Sequence, residues 1–318
     1  MLVLLSVIWG GSVPLTKLGL RDFPPLTLTA LRYVVAAPFF VLFLRGRQVP
    51  PPRVLTAAVG LGLLGIVCGQ VSQTLGVRQT SASVATVISA LIPVFVVILA
   101  AARLHQPVRF RQAVGLVLAF VGVALVATGD PRHLAAVVRT GSAGGDGLMV
   151  VSAIAVALYY VLSVPLVREY SVLTVAALTS LAGACGLVPI SAWELRHAPM
   201  HPTAQGIAVV AYLALLVTVF GLWVWFGALH RLPARIAATL QYLQPLVGVA
   251  ASAALFGDRL GAWFWAGTVL VLAGIAGSTA DASTTGPMTA VPAPAGLPRG
   301  RPSSLTPGVT TRPPEGPP

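Results

Sequence analysis

The side chains of this chain that could do chemistry are amides and hydroxyls set in otherwise apolar runs. The densest group is Thr239, Gln241, Tyr242, Gln244 and Pro245. Gln241 and Gln244 are three apart, so on a helix they share a face. Pro245 leaves the carbonyl four residues earlier without its helical donor. Two amides and a bare carbonyl can hold a polar solute in a cavity, and the same groups can instead bond neighbouring helices. Gln70 and Gln73, followed by Thr74, repeat the three-residue spacing. Tyr159 and Ser163 are four apart and line up, while Tyr160 points elsewhere. Trp9 and Ser12 sit mid-run near the start, and Ser89 matches Gln241 at an offset of 152. Trp9, Ser12, Arg32, Gln70, Gln73, Ser89, Tyr159, Ser163, Gln241, Tyr242 and Gln244 are the candidate substrate-binding residues.

Arg32 is the one charge clearly within an apolar run. It can meet an anionic group or the carbonyls of a helix end. It can also snorkel outward or brace the first helix, the commoner fates of such a residue. Trp223, Trp225 and Phe226 read as packing residues and interfacial anchors rather than a stacking platform. The acids Asp22, Asp130, Asp146, Glu169, Glu194, Asp258, Asp281 and Glu315 all fall at run ends, in loops or in the tail. A proton-driven antiporter commonly loads a membrane-buried carboxyl, and none is placed for that task. His105 and His230 titrate in the right range but lie at run ends. The expectation is a neutral or zwitterionic solute, moved by exchange or down its own gradient. No buried His/Asp/Glu cluster, Gly-x-Ser-x-Gly turn or phosphate loop is present in the sequence, which argues against an enzyme or a self-contained ATP-driven pump. No cofactor or metal is expected. Cys68 and Cys185 stand apart in apolar runs and read as packing residues.

These residues must be positioned by membrane helices. Of 318 residues, 56% are hydrophobic and 9% charged, against roughly 25% charged in a soluble domain. Ten apolar spans are predicted at about 1–19, 26–44, 54–75, 81–102, 112–128, 147–166, 172–193, 206–228, 234–256 and 262–279. The first lacks the charged start of a secretory signal and is read as a helix, with further residues expected upstream. Residues 129–146 form a linker, and 280–318, with ten prolines and no aromatic residue, a disordered cytoplasmic tail. The net charge of +12 sits mostly in short loops. It is read as membrane orientation, without a nucleic-acid partner. Twelve Lys and Arg fall on the side of the termini and seven opposite, or nine against seven without the tail. The two most basic loops, 45–53 and 103–111, lie with the termini, which places both termini in the cytoplasm.

The span from Ala82 to Gly129 recurs 152 residues later: Pro93 as Pro245, Gly115 as Gly267, Gly122 as Gly274, and upstream Gly69 as Gly221. Gly and Pro carry backbone meaning, so three such landmarks at one offset indicate an internal duplication. Each half, 1–128 and 147–279, holds five spans. Five is odd, so the second half enters the membrane from the opposite face. The expected fold is all-α, a polytopic membrane protein with ten transmembrane helices in two inverted five-helix repeats, the arrangement many secondary transporters use for alternating access.

Several of these residues resemble the EamA-type transporters of the drug/metabolite transporter superfamily. They are Trp9-Gly10-Gly11-Ser12 with Lys17, Pro25 before Leu31-Arg32-Tyr33, the paired prolines and glycines, and the Phe256-Gly257-Asp258 turn. The chain departs from that family at Leu104-His105-Gln106, where a glutamate is usual and where the repeat sets Gln106 against Asp258. The resemblance implies a secondary transporter of a small organic metabolite, amino acid-like or drug-like, in the plasma membrane of a bacterium, acting as an exporter or exchanger. The alternative is a channel or membrane scaffold without turnover. Expected partners are the solute and the lipid bilayer, with a homodimer left open.

Overall fold

A computed structural model of the chain describes residues 2–47, 50–104, 110–128, 143–224, 243–258 and 260–279. Every regular element among them is helical: α1 (Leu2–Gly10), α2 (Ser12–Gly19), α3 (Pro25–Leu44), α4 (Pro52–Gln79), α5 (Ala82–Ser89), α6 (Ile92–Leu104), α7 (Phe110–Thr128), α8 (Ala143–Glu169), α9 (Val172–Leu195), α10 (Ala204–Val224), α11 (Leu243–Phe256) and α12 (Ala262–Thr279). The solvent explains the choice, because in lipid a backbone must pair its own polar groups and a helix does so within one segment. Six helical runs are long and apolar enough to cross a bilayer: Pro25–Leu44, Pro52–Gln79, Ala82–Arg103, Gly144–Glu169, Val172–Leu195 and Ala204–Val224. Four more, Val3–Gly19, Ala113–Val123, Leu243–Phe256 and Ala262–Gly277, are apolar but shorter. This is a multi-pass membrane protein.

Two stretches expected as plain helices are interrupted. Residues 1–19 break at Gly11 between α1 and α2, and 81–102 break at Ala90 and Leu91 between α5 and α6. Proline is the cause in both: Pro14 cannot donate to Gly10, nor Pro93 to Ser89. At the second break Ala90 and Leu91 donate three residues back instead, to Val87 (3.1 Å) and Ile88 (3.0 Å). Two others are locally underwound, for Leu63–Gln70 in α4 and Tyr212–Phe220 in α10 are π-helical. Shifted by 152, the first π turn falls on 215–222 and overlaps the second.

The packing repeats the same correspondence. Helix α7 lies against α12, α3 against α9, and α5 against α11. Between α7 and α12 the backbones touch. A Cβ on Gly122 would sit 2.6 Å from the Gly267 carbonyl oxygen, and one on Gly274 2.5 Å from that of Gly115. Seven residues forward on one helix go with seven backward on the other, so the two run antiparallel. The offset of 152 also turns one pair into the other, since Gly122 maps to Gly274 and Gly115 to Gly267. Such close approach is how membrane helices associate where no hydrophobic drive exists between them.

The α3–α9 pair shows the same exchange with different chemistry. Leu26-Thr27 and Ala30-Leu31 recur as Leu173-Thr174 and Ala177-Leu178, at an offset of 147. Glu194, at the end of α9, accepts from the Thr27 N–H (2.7 Å), the Thr27 hydroxyl (2.8 Å) and the Leu26 N–H (3.2 Å), capping α3. Arg47 is the residue 147 before Glu194. It donates to the Thr174 hydroxyl (2.9 Å) and the Ser171 hydroxyl (3.0 Å) at the start of α9. Equivalent positions therefore hold equivalent helix starts with opposite charges.

Asp258 resolves part of the departure noted above. Gly257 ends α11 in the left-handed region, at φ 66°, which suits glycine. The turn delivers Asp258 to the first turn of α5, where its carboxylate accepts from the Ser83 hydroxyl (2.7 Å) and N–H (3.1 Å). A carboxylate is favoured at the positive end of a helix. Gln106 lies outside the described residues, as do the linker up to 142 and the tail. Lys17 donates to the Thr80 carbonyl beside this turn, and the Arg21 guanidinium lies 5.5 Å from the centre of the Phe256 ring. Cys68 and Cys185 are exposed on α4 and α9 rather than packed inside; a small apolar thiol loses nothing against lipid.

Gly274→Ala is expected to lower the thermal stability of the purified chain in detergent by about 1–3 kcal/mol, the usual range for overpacking a tight contact. Gly60→Ala, where an added Cβ meets nothing within 4 Å, leaves stability unchanged or raises it. Glu194→Ala, which uncaps α3, costs about 1–2 kcal/mol on the same assay.

Candidate functional site

The π turn of α10 is the meeting point of several helices. Thr218 donates its hydroxyl to the Leu213 carbonyl at 2.8 Å, five residues back, which is the spacing a π turn opens. The same oxygen accepts from Arg32 Nε at 2.8 Å. One residue earlier, the Val217 carbonyl accepts from Trp9 Nε1 at 2.9 Å. Tyr212 donates in the other direction, to the Ile8 carbonyl at 2.7 Å. Helix α1 is thus tied to this turn by two hydrogen bonds. Gly221 leaves room for the indole, since a Cβ there would be 2.4 Å from Trp9 Nε1.

Arg32 reaches from this turn to the other one. Its Nη1 donates at 3.1 Å to Gln70 Oε1, on the last residue of the π turn in α4. Its guanidinium carbon lies 5.4 Å from the centre of the Tyr33 ring. The expected outward snorkel and the brace of the first helix are therefore not what holds it; α4 and α10 supply its hydrogen-bond partners. The Thr29 and Thr74 hydroxyls, 2.9 Å apart, join α3 to α4 one turn away, and Thr74 donates to the Gln70 carbonyl at 2.9 Å. Tyr33 is buried and within electrostatic reach of Tyr159 and Tyr160. The Tyr159 hydroxyl lies 3.1 Å from that of Thr179, and its ring fills the space over Gly65 in the α4 π turn.

Of the candidate residues, the structure draws Trp9, Arg32 and Gln70 into one hydrogen-bonded region, with Tyr159 beside it. Ser12, Ser163 and Ser89 turn their hydroxyls onto their own helices, at the carbonyls of Trp9 (2.6 Å), Tyr160 (2.8 Å) and Ala85 (2.9 Å). Such back-bonding satisfies the hydroxyl locally. Gln73 is half-buried one turn beyond Gln70, and Gln244 is half-buried in α11. The Gln244 backbone carbonyl lies against α1, where a Cβ on Gly10 would approach it to 2.7 Å. Gln241 and Tyr242 lie outside the described residues, with Trp225, Phe226, His105 and His230. Trp223 is exposed, 6.0 Å from the Phe220 ring, as an interfacial or packing aromatic should be. The pairing of Tyr159 with Ser163 is only partial, since the two bond to different groups.

Thr218, Thr179 and Tyr33 belong to this region and were not singled out from the sequence. Thr179 carried a signal, because the 147 offset sets it opposite Arg32. A second signal is the tetrapeptide Ser-Val-Pro-Leu, at 12–15 and again at 163–166. Its serine makes the same bond to the carbonyl three residues back in both copies. Thr218 carried none, being a single hydroxyl in an apolar run.

The model of the EamA-like transporter family matches residues 1–128 and 143–280. A transporter of Archaeoglobus fulgidus is 27% identical over 275 residues, covering 86% of this chain and 95% of its own. A probable amino-acid metabolite efflux pump of Salmonella typhimurium is 27% identical, over 86% of this chain and 91% of its own. A probable terminal-alkyne amino-acid exporter of Streptantibioticus cattleyicolor is 28% identical, over 90% and 96%. One crystal structure superimposes with a TM-score of 0.61 over 88% of this chain and 95% of the other, at 16% identity, a likeness of fold alone.

Thr218→Val keeps the volume but strands Arg32 Nε. Its expected cost is about 1–3 kcal/mol, the penalty of unpaired polar groups away from water. Thr56→Val, at an exposed hydroxyl that bonds its own helix, should stay within about 0.5 kcal/mol. Thermal unfolding of the two variants in one detergent separates them.

Proposed function

This chain belongs to the EamA-like transporter family, and from that premise we propose that it is a secondary transporter built as ten membrane helices in two inverted five-helix repeats. It moves a small organic metabolite, amino acid-like and neutral or zwitterionic, or drug-like, across the plasma membrane by alternating access, as an exporter or exchanger. Both termini lie in the cytoplasm. The observation that carries this reading is the exchange of contacts across the duplication. An antiparallel pair whose contacts interchange under one sequence shift has a two-fold axis at right angles to its helices, which for membrane spans lies in the membrane plane. The α3–α9 pair, with Arg47 and Glu194 at opposite ends, supports the same axis. Two halves related in this way can adopt mirror-related states, open to either side.

The solute would bind where Arg32 bridges the two π turns. Arg32, Gln70, Trp9 and Tyr159 form the centre of the proposed site. Ser12, Gln73, Ser89, Ser163, Gln241, Tyr242 and Gln244 are proposed lining residues whose side chains become available as the halves move. The two relatives named for amino-acid efflux and export favour an amino acid-like cargo. Among the described residues every carboxylate lies at a helix end or in a turn, which favours exchange or downhill movement over proton coupling.

Proteoliposomes holding the full chain are expected to exchange labelled amino acids against an internal pool without an imposed pH gradient. Uptake strictly dependent on that gradient, in a variant lacking both His105 and His230, would reject the uncoupled mechanism. Absence of exchange with every amino acid and metabolite tried would reject transport of this class.

A further inference from the structure

Resting on the transport reading above and narrowing it, we propose that Arg32 receives the carboxylate of the transported solute, so that the cargo is a small organic acid or amino acid rather than an amine or an uncharged amide. The helix places this side chain seven residues into α3, about 10 Å below the end of the helix at 1.5 Å per residue. A charge at such depth is costly and persists where it has a partner or a task.

The partners Arg32 has do not neutralise it. A guanidinium offers five N–H donors. One goes from Nε to the Thr218 hydroxyl and one from Nη1 to the Gln70 amide oxygen, and the Tyr33 ring lies alongside the charge. All three are uncharged. The second hydrogen on Nη1 and both on Nη2 have no protein acceptor among the described residues. Nor is Nη2 sealed away: among those residues the buried side-chain nitrogen or oxygen without a partner is Asp146 Oδ1.

The described acids lie elsewhere. Asp22 accepts from the Thr203 N–H at 3.2 Å, Glu194 caps α3 and Asp258 caps α5. Asp146 lies in the first turn of α8, with Oδ1 buried and without a partner, and Glu169 is exposed at the end of that helix. No carboxylate forms an ion pair with Arg32 among the described residues. What remains are three N–H donors, one on Nη1 and two on Nη2, on a half-buried guanidinium that two helices hold in place.

A carboxylate accepts from such donors, bidentately where two of them run parallel. The clamp keeps the fork oriented before the solute arrives, which lowers the entropy lost on binding. Trp9 and Tyr159 flank the region and supply apolar surface for the rest of the solute. A purely bridging residue would need two donors and no charge, and glutamine would serve; the retained charge is what the bridge does not explain.

The test uses the full chain in proteoliposomes and counterflow of the standard radiolabelled L-amino acids, each against its carboxamide, which keeps the side chain and amine but lacks the carboxylate. For the wild type, acids are expected to exchange and their amides to fall roughly 10- to 100-fold in kcat/KM, the span of a charge-assisted contact. Arg32→Gln should erase this preference, and Arg32→Lys, which keeps the charge without the fork, should leave a reduced one. Circular dichroism and elution in detergent check that each variant is folded. If Arg32→Gln is not folded, the wild-type acid–amide ratio and Arg32→Lys decide. Equal exchange of acids and amides by the wild type overturns this inference and leaves the transport reading standing. A folded Arg32→Gln with an undiminished preference for acids also overturns it. No exchange of any acid or amide overturns transport of amino acid-like solutes, and this inference with it.

Discussion

The constraint on which this structure depends is that a backbone in lipid has no water to complete its hydrogen bonds. Near the irregular turns of α10 and α1, side chains bond to the backbone carbonyls. At the α10 π turn the Leu213 carbonyl goes to the Thr218 hydroxyl and the Val217 carbonyl to the Trp9 indole. In α1 the Ile8 carbonyl receives the Tyr212 hydroxyl and the Trp9 carbonyl that of Ser12. Polar side chains inside these helices are therefore concentrated where the winding fails, and the same places offer the groups a solute could use. Chemistry and irregularity coincide because one requires the other.

The two halves share Gly and Pro landmarks and differ in their charges. Glycines at 115, 122, 267 and 274 are matched pair by pair, since backbone contact between α7 and α12 tolerates nothing larger. Elsewhere the match is positional only. Arg47 and Glu194 do equivalent jobs with opposite signs, which suits an orientation that favours cations on the cytoplasmic side. By sequence offset Arg32 corresponds to Thr179, and Asp258 to Gln106. In a cycle of the kind proposed, equal halves would give two end states of equal energy. Unequal charges remove that equality and let one facing be favoured when no solute is bound.

Much of the helical organisation was legible in the sequence, and the reason is specific. Gly and Pro landmarks at 93, 115 and 122 are read by the backbone itself, so their recurrence survives divergence of the lipid-facing residues around them. A single offset of 152 nevertheless concealed two further copies, the Ser-Val-Pro-Leu tetrapeptide at 151 and the Leu-Thr and Ala-Leu pairs at 147. Loops of unequal length between the first helices shift the register by a few residues, and short apolar matches are then lost among chance ones. The π turns left no trace, because an inserted residue in a helix has no composition of its own. Arg32 stood out as a charge, but its partners did not. A lone threonine such as Thr218 usually bonds its own helix, and nothing in its neighbours tells that it will also receive a guanidinium from 186 residues away.

Residues that obey the repeat and residues that break it therefore answer different questions. A matched glycine is explained by the contact it permits in both halves, and any substitution there acts on the scaffold, whatever the cargo. Arg32 is unmatched, lies in the membrane, and spends two of five donors on neutral groups. Its desolvation costs as much whether or not those two bonds form, so the bridge between the π turns cannot by itself account for a full charge. Scaffold needs alone would have favoured an amide at that position, as they evidently did at Gln70. The charge is accounted for once something brings a negative group to it, and no described carboxylate of this chain pairs with it. On the reading proposed above, that group is the carboxylate of the solute.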